Sequence, residues 1–149
     1  MAELVREVLI DATPETIFPF LTVPERHLEW MGSEVDLDPR PGGTYRVKVG
    51  GEHPALGEFI EIVPNEKVAF TFGWDEPGHP IPAGSTRIDI TLTAEGTKTR
   101  LRFVHSGLPA DAISDHERGW DHYLDRLARS VAGESVGADT MEEHCQEAG

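Results

Sequence analysis

Between Glu34 and Ser106 apolar and polar residues alternate with a period of two, the pattern of strands that bury one face and wet the other. TYRVKV sets Tyr45, Val47 and Val49 against Arg46 and Lys48, and KVAFTFGW puts Val68, Phe70, Phe72 and Trp74 on one side. TRIDITLT sets Ile88, Ile90 and Leu92 against Arg87, Asp89 and Thr91. TRLRFVHSG sets Leu101, Phe103 and His105 against Arg100 and Arg102. EVDLD supplies a short strand before these, GEFIEIV one among them, and LVREVLI, rich in branched residues, an earlier first strand. In GEFIEIV both registers hold apolar residues, so the pattern leaves open whether Glu58 or Glu61 faces inward. Short turns such as PGG and EGTK, and the Pro- and Gly-dense loop DEPGHPIPAG, predict an antiparallel sheet.

Helical spacing flanks this block. Thr13 is the expected cap of a helix with Pro14 at its first position and Glu15 in its first turn; Ile17, Phe20 and Leu21 share a face, and Pro19 keeps it short or kinked. TVPE reads as a capping box, Thr22 with Glu25, opening a second short helix to about Met31 that Gly32 stops. Leu28 and Met31, or Trp30, should close it onto the core. A last capping box, Ser114 with Glu117, opens an amphipathic helix of about 17 residues that needs a packed face. Trp120, Tyr123 or Leu124, Leu127 and Val131 form its apolar stripe; Asp121, Asp125, Arg126 and Arg129 take the other side, with Asp125 and Arg129 paired, and Gly133 ends it. Gly119 costs such a helix about 1 kcal/mol against Ala, which points to a close backbone approach there and turns Trp120 toward the sheet. One helix against one sheet is a two-layer α+β arrangement.

At 149 residues a single domain is expected. The formal charge of −14 repels phosphate backbones and anionic membranes, so neither nucleic acid nor membrane is an expected partner. After Gly133 come Glu134, Asp139, Glu142, Glu143 and Glu147 with no Lys or Arg, so residues 133–149 read as a flexible acidic tail, with a marginal helix near Met141, behind a domain of residues 1–132. The single cysteine, Cys145, cannot form an internal disulfide. No apolar run reaches the length of a membrane span and MAELVREVLIDA lacks the pattern of a signal peptide, which leads to an expected cytoplasmic location.

Recognisable catalytic chemistry is sparse. His116 and His122 are six residues apart, on different faces of the helix, and no cysteine pair supports zinc; no metal and no cofactor are expected. There is no phosphate loop and no nucleophile elbow, and Ser106 points away from its neighbour His105 on the strand. What stands out is the inner face: Tyr45, Phe70, Phe72, Trp74, Phe103 and Trp120 carry large rings, with His105 the one polar residue in the inward register. A ring nitrogen there orients a ligand or titrates, or is a core histidine satisfied by its surroundings.

The ordered set ATPETIFPFLTVPERHLEWM, PGGTYRV, GEFIEIVPNEKVAFTFGW, STRIDITLT, TRLRFVHSGL and RGWDHYLDRL resembles the START-like (SRPBCC) superfamily, in its AHSA-type branch similar to the C-terminal domain of the heat-shock ATPase activator. The resemblance spans roughly residues 4–131 and departs from the family at Pro19 and in the acidic tail. It implies a helix-grip fold: a curved antiparallel sheet of six or seven strands wrapped around a long C-terminal helix, with two short helices after strand one. Relatives bind lipids, hormones or polyketides in a central cavity, and some cyclise or aromatise polyketides.

Three functions are compatible with this reading. The first is binding of a small hydrophobic or aromatic molecule between sheet and C-terminal helix, with Trp30, Tyr45, Val47, Phe59, Phe70, Phe72, Trp74, Ile90, Phe103, His105, Trp120 and Leu124 as lining and DEPGHPIPAG as a lid. The second is a cavity enzyme of cyclase or hydrolase type, which needs an internal acid or base from among His105, Glu61 and Tyr45. The third is an interaction module, a homodimer or a chaperone modulator, because an acidic exterior suits basic partners. The absence of a paired catalytic set favours binding over catalysis.

Overall fold

The computed structural model describes residues 2–49, 53–134 and 136–137; the expected helix near Met141 lies outside them, as does most of the acidic tail. Seven strands, β1 (Ala2–Ile10), β2 (Glu34–Leu37), β3 (Thr44–Val49), β4 (His53–Val63), β5 (Lys67–Phe72), β6 (Thr86–Glu95) and β7 (Lys98–Leu108), form one sheet in the order β1-β7-β6-β5-β4-β3-β2. Strands β2 to β7 follow one another as an antiparallel meander, and β1 closes the order by pairing antiparallel with β7. Three short helices, α1 (Pro14–Ile17), α2 (Pro19–Thr22) and α3 (Pro24–His27), follow β1, and the long helix α4 (Ile113–Val131) follows β7. The fold class expected from the sequence, α+β with an antiparallel sheet of six or seven strands and a long C-terminal helix, is the one observed, with seven strands and with three short helices in place of the expected two. Among the described residues no helix is long and apolar enough to cross a membrane.

Prolines set the short helices. Pro14, Pro19 and Pro24 each occupy a first helical position, where a missing N–H costs nothing. Because Pro19 offers no N–H to the turn before it, one helix becomes two, α1 and α2. The expected capping boxes do not form. Val23, not Thr22, caps α3, and the Thr22 hydroxyl bonds back to the Phe18 carbonyl; Thr13 caps α1 by position only, its hydroxyl meeting that of Thr16. Ser114 is already inside α4, whose cap is Ala112, and Glu117 reaches across to Arg6 at 2.9 Å, beside the 2.7 Å pair of Arg6 with Asp121. These pairs tie α4 to β1. Of the α3 region, Trp30 and Met31 are buried while Leu28 is exposed.

The sheet changes direction within β4. Residues 53–58 pair with β3 and residues 59–63 with β5, and the register shifts between Phe59 and Glu61. The extra residue, Ile60, is a bulge that switches the faces of the strand. Ala55, Gly57 and Phe59 are buried before it, whereas both Glu58 and Glu61 are exposed, Glu61 pairing with Lys67 at 3.0 Å. Neither carboxylate faces inward. At Gly57 β4 lies so close to β5 that a Cβ would collide with the Thr71 carbonyl. Gly57→Ala is therefore expected to cost about 1–3 kcal/mol, as overpacking against backbone does, read as a lower midpoint in urea denaturation.

Spacing along the helix puts Arg126 on the outer face of α4, but it is buried. Its guanidinium donates to the carbonyls of Trp30 at 2.7 Å, Val136 at 2.9 Å and Gly137 at 2.9 Å. The Trp30 carbonyl lies just past a short helix and lacks a helical partner of its own. Ser130 adds a bond to the Glu29 carbonyl at 3.1 Å. Together they fasten α4 to the α3 segment. The expected Asp125–Arg129 pair forms at 3.6 Å, and Gly133, at φ 92°, lies just beyond the helix end.

Candidate functional site

The inward register of the strands and the inner stripe of α4 meet on the buried face of the sheet, where the rings touch. Tyr45 stacks on Phe70 with centroids 4.1 Å apart, and Phe59 stands edge-on to both at 5.9 Å. Phe72 links this group to Trp120 at 5.7 Å, and Trp120 lies against Phe103 at 4.6 Å. Val47, Ile90 and Leu124 fill between them, and Trp30, held by its indole N–H on the Phe20 carbonyl at 2.8 Å, covers one end through His27. Eleven of the twelve candidate lining residues are buried; Trp74 alone is half-buried, 5.4 Å from Phe72 at the rim. Burial also pushes the Tyr45 phenol well above its ordinary pKa, so it stays neutral.

His105 is wholly buried within these rings, and its proton positions follow from its neighbours. The Trp120 indole can only donate, so its N–H, 3.1 Å away, gives to Nδ1 of His105. Thr86 gives its hydroxyl proton to the Phe72 carbonyl at 2.6 Å, so its oxygen accepts from Nε2–H of His105 at 2.8 Å. His105 is thus the neutral Nε2–H tautomer in a closed chain: Trp120 to His105 to Thr86 to the Phe72 carbonyl. Burial, with a smaller contribution from His116, lowers its pKa to about 3. Its two hydrogen-bond partners are an indole and an alcohol, neither of which ionises at neutral pH.

A second histidine group sits at the rim. Nδ1–H of His116 donates to the Ala112 carbonyl at 2.9 Å, which leaves Nε2 as a bare acceptor; that atom is buried with no hydrogen-bond partner among the described residues. Burial lowers the pKa of His116. Its ring lies 5.6 Å from His105 and 6.5 Å from Trp74, and Trp74 lies 5.9 Å from His79. His79 accepts the Ile81 N–H at Nδ1, and burial lowers its pKa too. The loop carrying these groups is pinned at its base by Trp74 N–H to the Ile81 carbonyl, Asp75 N–H to the Pro54 carbonyl and Gly84 N–H to the Leu56 carbonyl. Its tip turns through Gly78 at φ 76°, and His53 meets Glu76 beside it at 3.0 Å.

The pattern of the sequence places the rings and His105 in the inward register, as the structure does, but does not bring Thr86, His79 and His116 beside them. Thr86 was legible: it stands two residues before Ile88, in the inward register. His116 stands four residues before Trp120, hence on the same helix face. Away from the candidate lining, a hollow of about 440 Å³ opens between the short helices and the end of α4, bordered by Phe20, Arg26, Leu28, Glu29, Ser130 and Val131 among others. None of the twelve candidates borders it.

The architecture recurs in solved structures. An AHSA1-like protein from Rhizobium etli is 43% identical over 93% of this chain and 86% of its own, with a TM-score of 0.73. DynU16, from the dynemicin biosynthetic locus, is 21% identical over 93% of this chain and 49% of its own, with a TM-score of 0.76. The Aha1 dimer from Colwellia psychrerythraea is 20% identical over 92% of this chain and 98% of its own, again at 0.76. No functionally curated protein matches the chain. The family model of Activator of Hsp90 ATPase homolog 1-like proteins matches residues 11–132. Carrying that match over most of its length, on a sheet and terminal helix shared with an AHSA1-like protein at 43% identity, the chain belongs to the family of Activator of Hsp90 ATPase homolog 1-like proteins.

Proposed function

We propose that the protein binds a small hydrophobic or aromatic molecule between the buried face of the sheet and α4. One observation carries this reading: the rings form a continuous path from half-buried Trp74 at the rim through Phe72 to Trp120 and Phe103 inside. Such a path offers large apolar contact at low entropic cost, with polar atoms in few, defined places. The ligand enters beside Trp74, and the 76–80 tip of the loop is the part free to move, since its base is pinned. The place of DynU16 in a biosynthetic locus agrees with a small-molecule role for this fold. Binding is favoured over catalysis because Glu58 and Glu61 are exposed and the two direct partners of His105 do not ionise at neutral pH.

Isothermal titration with 2-naphthol, beside native mass spectrometry of protein purified from its own host, tests the reading. One saturable site is expected, weakened about tenfold by Trp74→Ala, the loss of one aromatic contact of about 1–1.5 kcal/mol. A protein that emerges empty and takes up no naphthalene-class probe would end it. A second reading, a homodimer, has Val5 and Leu9 in its favour, both exposed on the edge strand β1. Sedimentation equilibrium decides that question, and a monomer throughout the micromolar range removes it.

A further inference from the structure

We infer that the molecule bound at this rim carries an O–H or N–H donor that seats on Nε2 of His116, so that the site takes aromatic alcohols or related donors and discriminates against their ethers. The inference rests on the binding reading above and sharpens it.

Three observations converge on this atom. Nδ1–H of His116 is committed to the Ala112 carbonyl, so the other nitrogen can only accept. That nitrogen is buried and unpartnered among the described residues, so it is an acceptor that the fold itself supplies with no donor. A ligand hydroxyl arriving there makes its hydrogen bond in an apolar setting, where such a bond is stronger than in water. The surroundings select the rest of the ligand. Trp74 lies 6.5 Å from His116 on the side toward His79, offering a flat apolar surface at the entrance of the ring path. His79, half-buried at the tip of the loop, is the cover that a ligand displaces, while Trp74 stays at the pinned base. Asp115 is a charged neighbour of the His116 imidazole, and the chain carries −14, so a carboxylate gains nothing here. A plain hydrocarbon would leave the nitrogen unpaired.

The test compares 2-naphthol with 2-methoxynaphthalene, which share the ring and differ in the donor. Calorimetric titration of the wild-type chain is expected to give about tenfold tighter binding of the alcohol, which corresponds to about 1.4 kcal/mol. In nitrogen-15 spectra of the histidine rings, Nε2 of His116 should shift on adding the alcohol and stay put on adding the ether. His116→Phe keeps a ring and removes the acceptor, so it should bind both probes equally. His116→Gln, which keeps an acceptor oxygen and serves if the Phe variant is poorly folded, should retain the preference. Equal binding of both probes by the wild type overturns the inference and leaves the binding reading standing; binding of neither overturns both.

Discussion

Acidification from pH 7 to pH 3.5 is expected to cost the wild-type chain about 4 kcal/mol more folding stability than it costs His105→Gln. The reason lies in where the proton can go. In the folded chain His105 spends Nδ1 on the Trp120 indole N–H and Nε2–H on Thr86, so a second proton must break the first of these bonds inside a wholly buried ring cluster. Burial accordingly holds its pKa near 3, whereas the unfolded residue titrates near 6.5. Between these values the unfolded chain binds the proton and the folded chain does not. Stability is therefore undiminished above about pH 6.5, falls as the pH drops through the window, and stops falling from this source below about 3. His116, whose pKa is also lowered, acts in the same direction in both proteins, and the carboxylates are common to both. Urea denaturation at half-unit steps of pH isolates the histidine as the difference between the two curves. Glutamine supplies an acceptor and a donor but no titration, so His105→Gln should lie lower at pH 7 and converge on the wild type in acid. Parallel curves would show that His105 is reached by water in the native state.

The contrast between what the sequence announces and what it conceals has a physical basis. Period-two patterning placed Tyr45, Phe72, Ile88 and Phe103 on the inner face because burial of one sheet face is a local, repetitive demand. The stripe of α4 was legible for the same reason. GEFIEIV was ambiguous because a bulge at Ile60 changes the face midway, and only pairing with two different neighbours reveals it. The capping boxes failed where a proline or a distant ion pair competed for the same groups: Pro24 moved the cap to Val23, and Arg6 drew Glu117 away. Charge alone predicts an exposed Arg126, whereas three carbonyls from segments before and after it in the chain satisfy the guanidinium in the interior. The site divides in the same way. His105 was visible as a polar residue in an apolar register, but its tautomer depends on Thr86 and Trp120, 19 and 15 residues away. The spacing of His116 from Trp120 shows its helix face, but not that one ring nitrogen is committed to the Ala112 carbonyl and the other left without a partner among the described residues.

Trp120→Ala is expected to be the most damaging single truncation, at about 3–5 kcal/mol, the range for a large aromatic removed from a packed interior. Trp120 is 5% exposed and lies against Phe103, Phe72 and Tyr123, so its removal opens a void that rings on rigid strands cannot close. It also takes away the donor on Nδ1 of His105, leaving a buried acceptor unpaired. Trp120→Phe separates these effects in large part: it keeps much of the packing and removes the N–H, at about 1–3 kcal/mol for the unpaired acceptor. For a domain of this size each kcal/mol lowers the midpoint of thermal unfolding by about 2–4 °C, so the two variants should differ by several degrees in a calorimetric scan. The Phe variant carries a second consequence. With Nδ1 freed from the indole, that nitrogen can take a proton without first breaking a hydrogen bond, so the pKa of His105 should rise and the acid sensitivity derived above should shrink. A Phe variant that loses stability but keeps the full wild-type acid slope would mean that burial alone, and not the indole bond, holds His105 neutral. A Trp120→Ala variant within about 1 kcal/mol of wild type would instead place Trp120 against yielding surroundings, and the ring path from Trp74 to Phe103 would lose its inner wall.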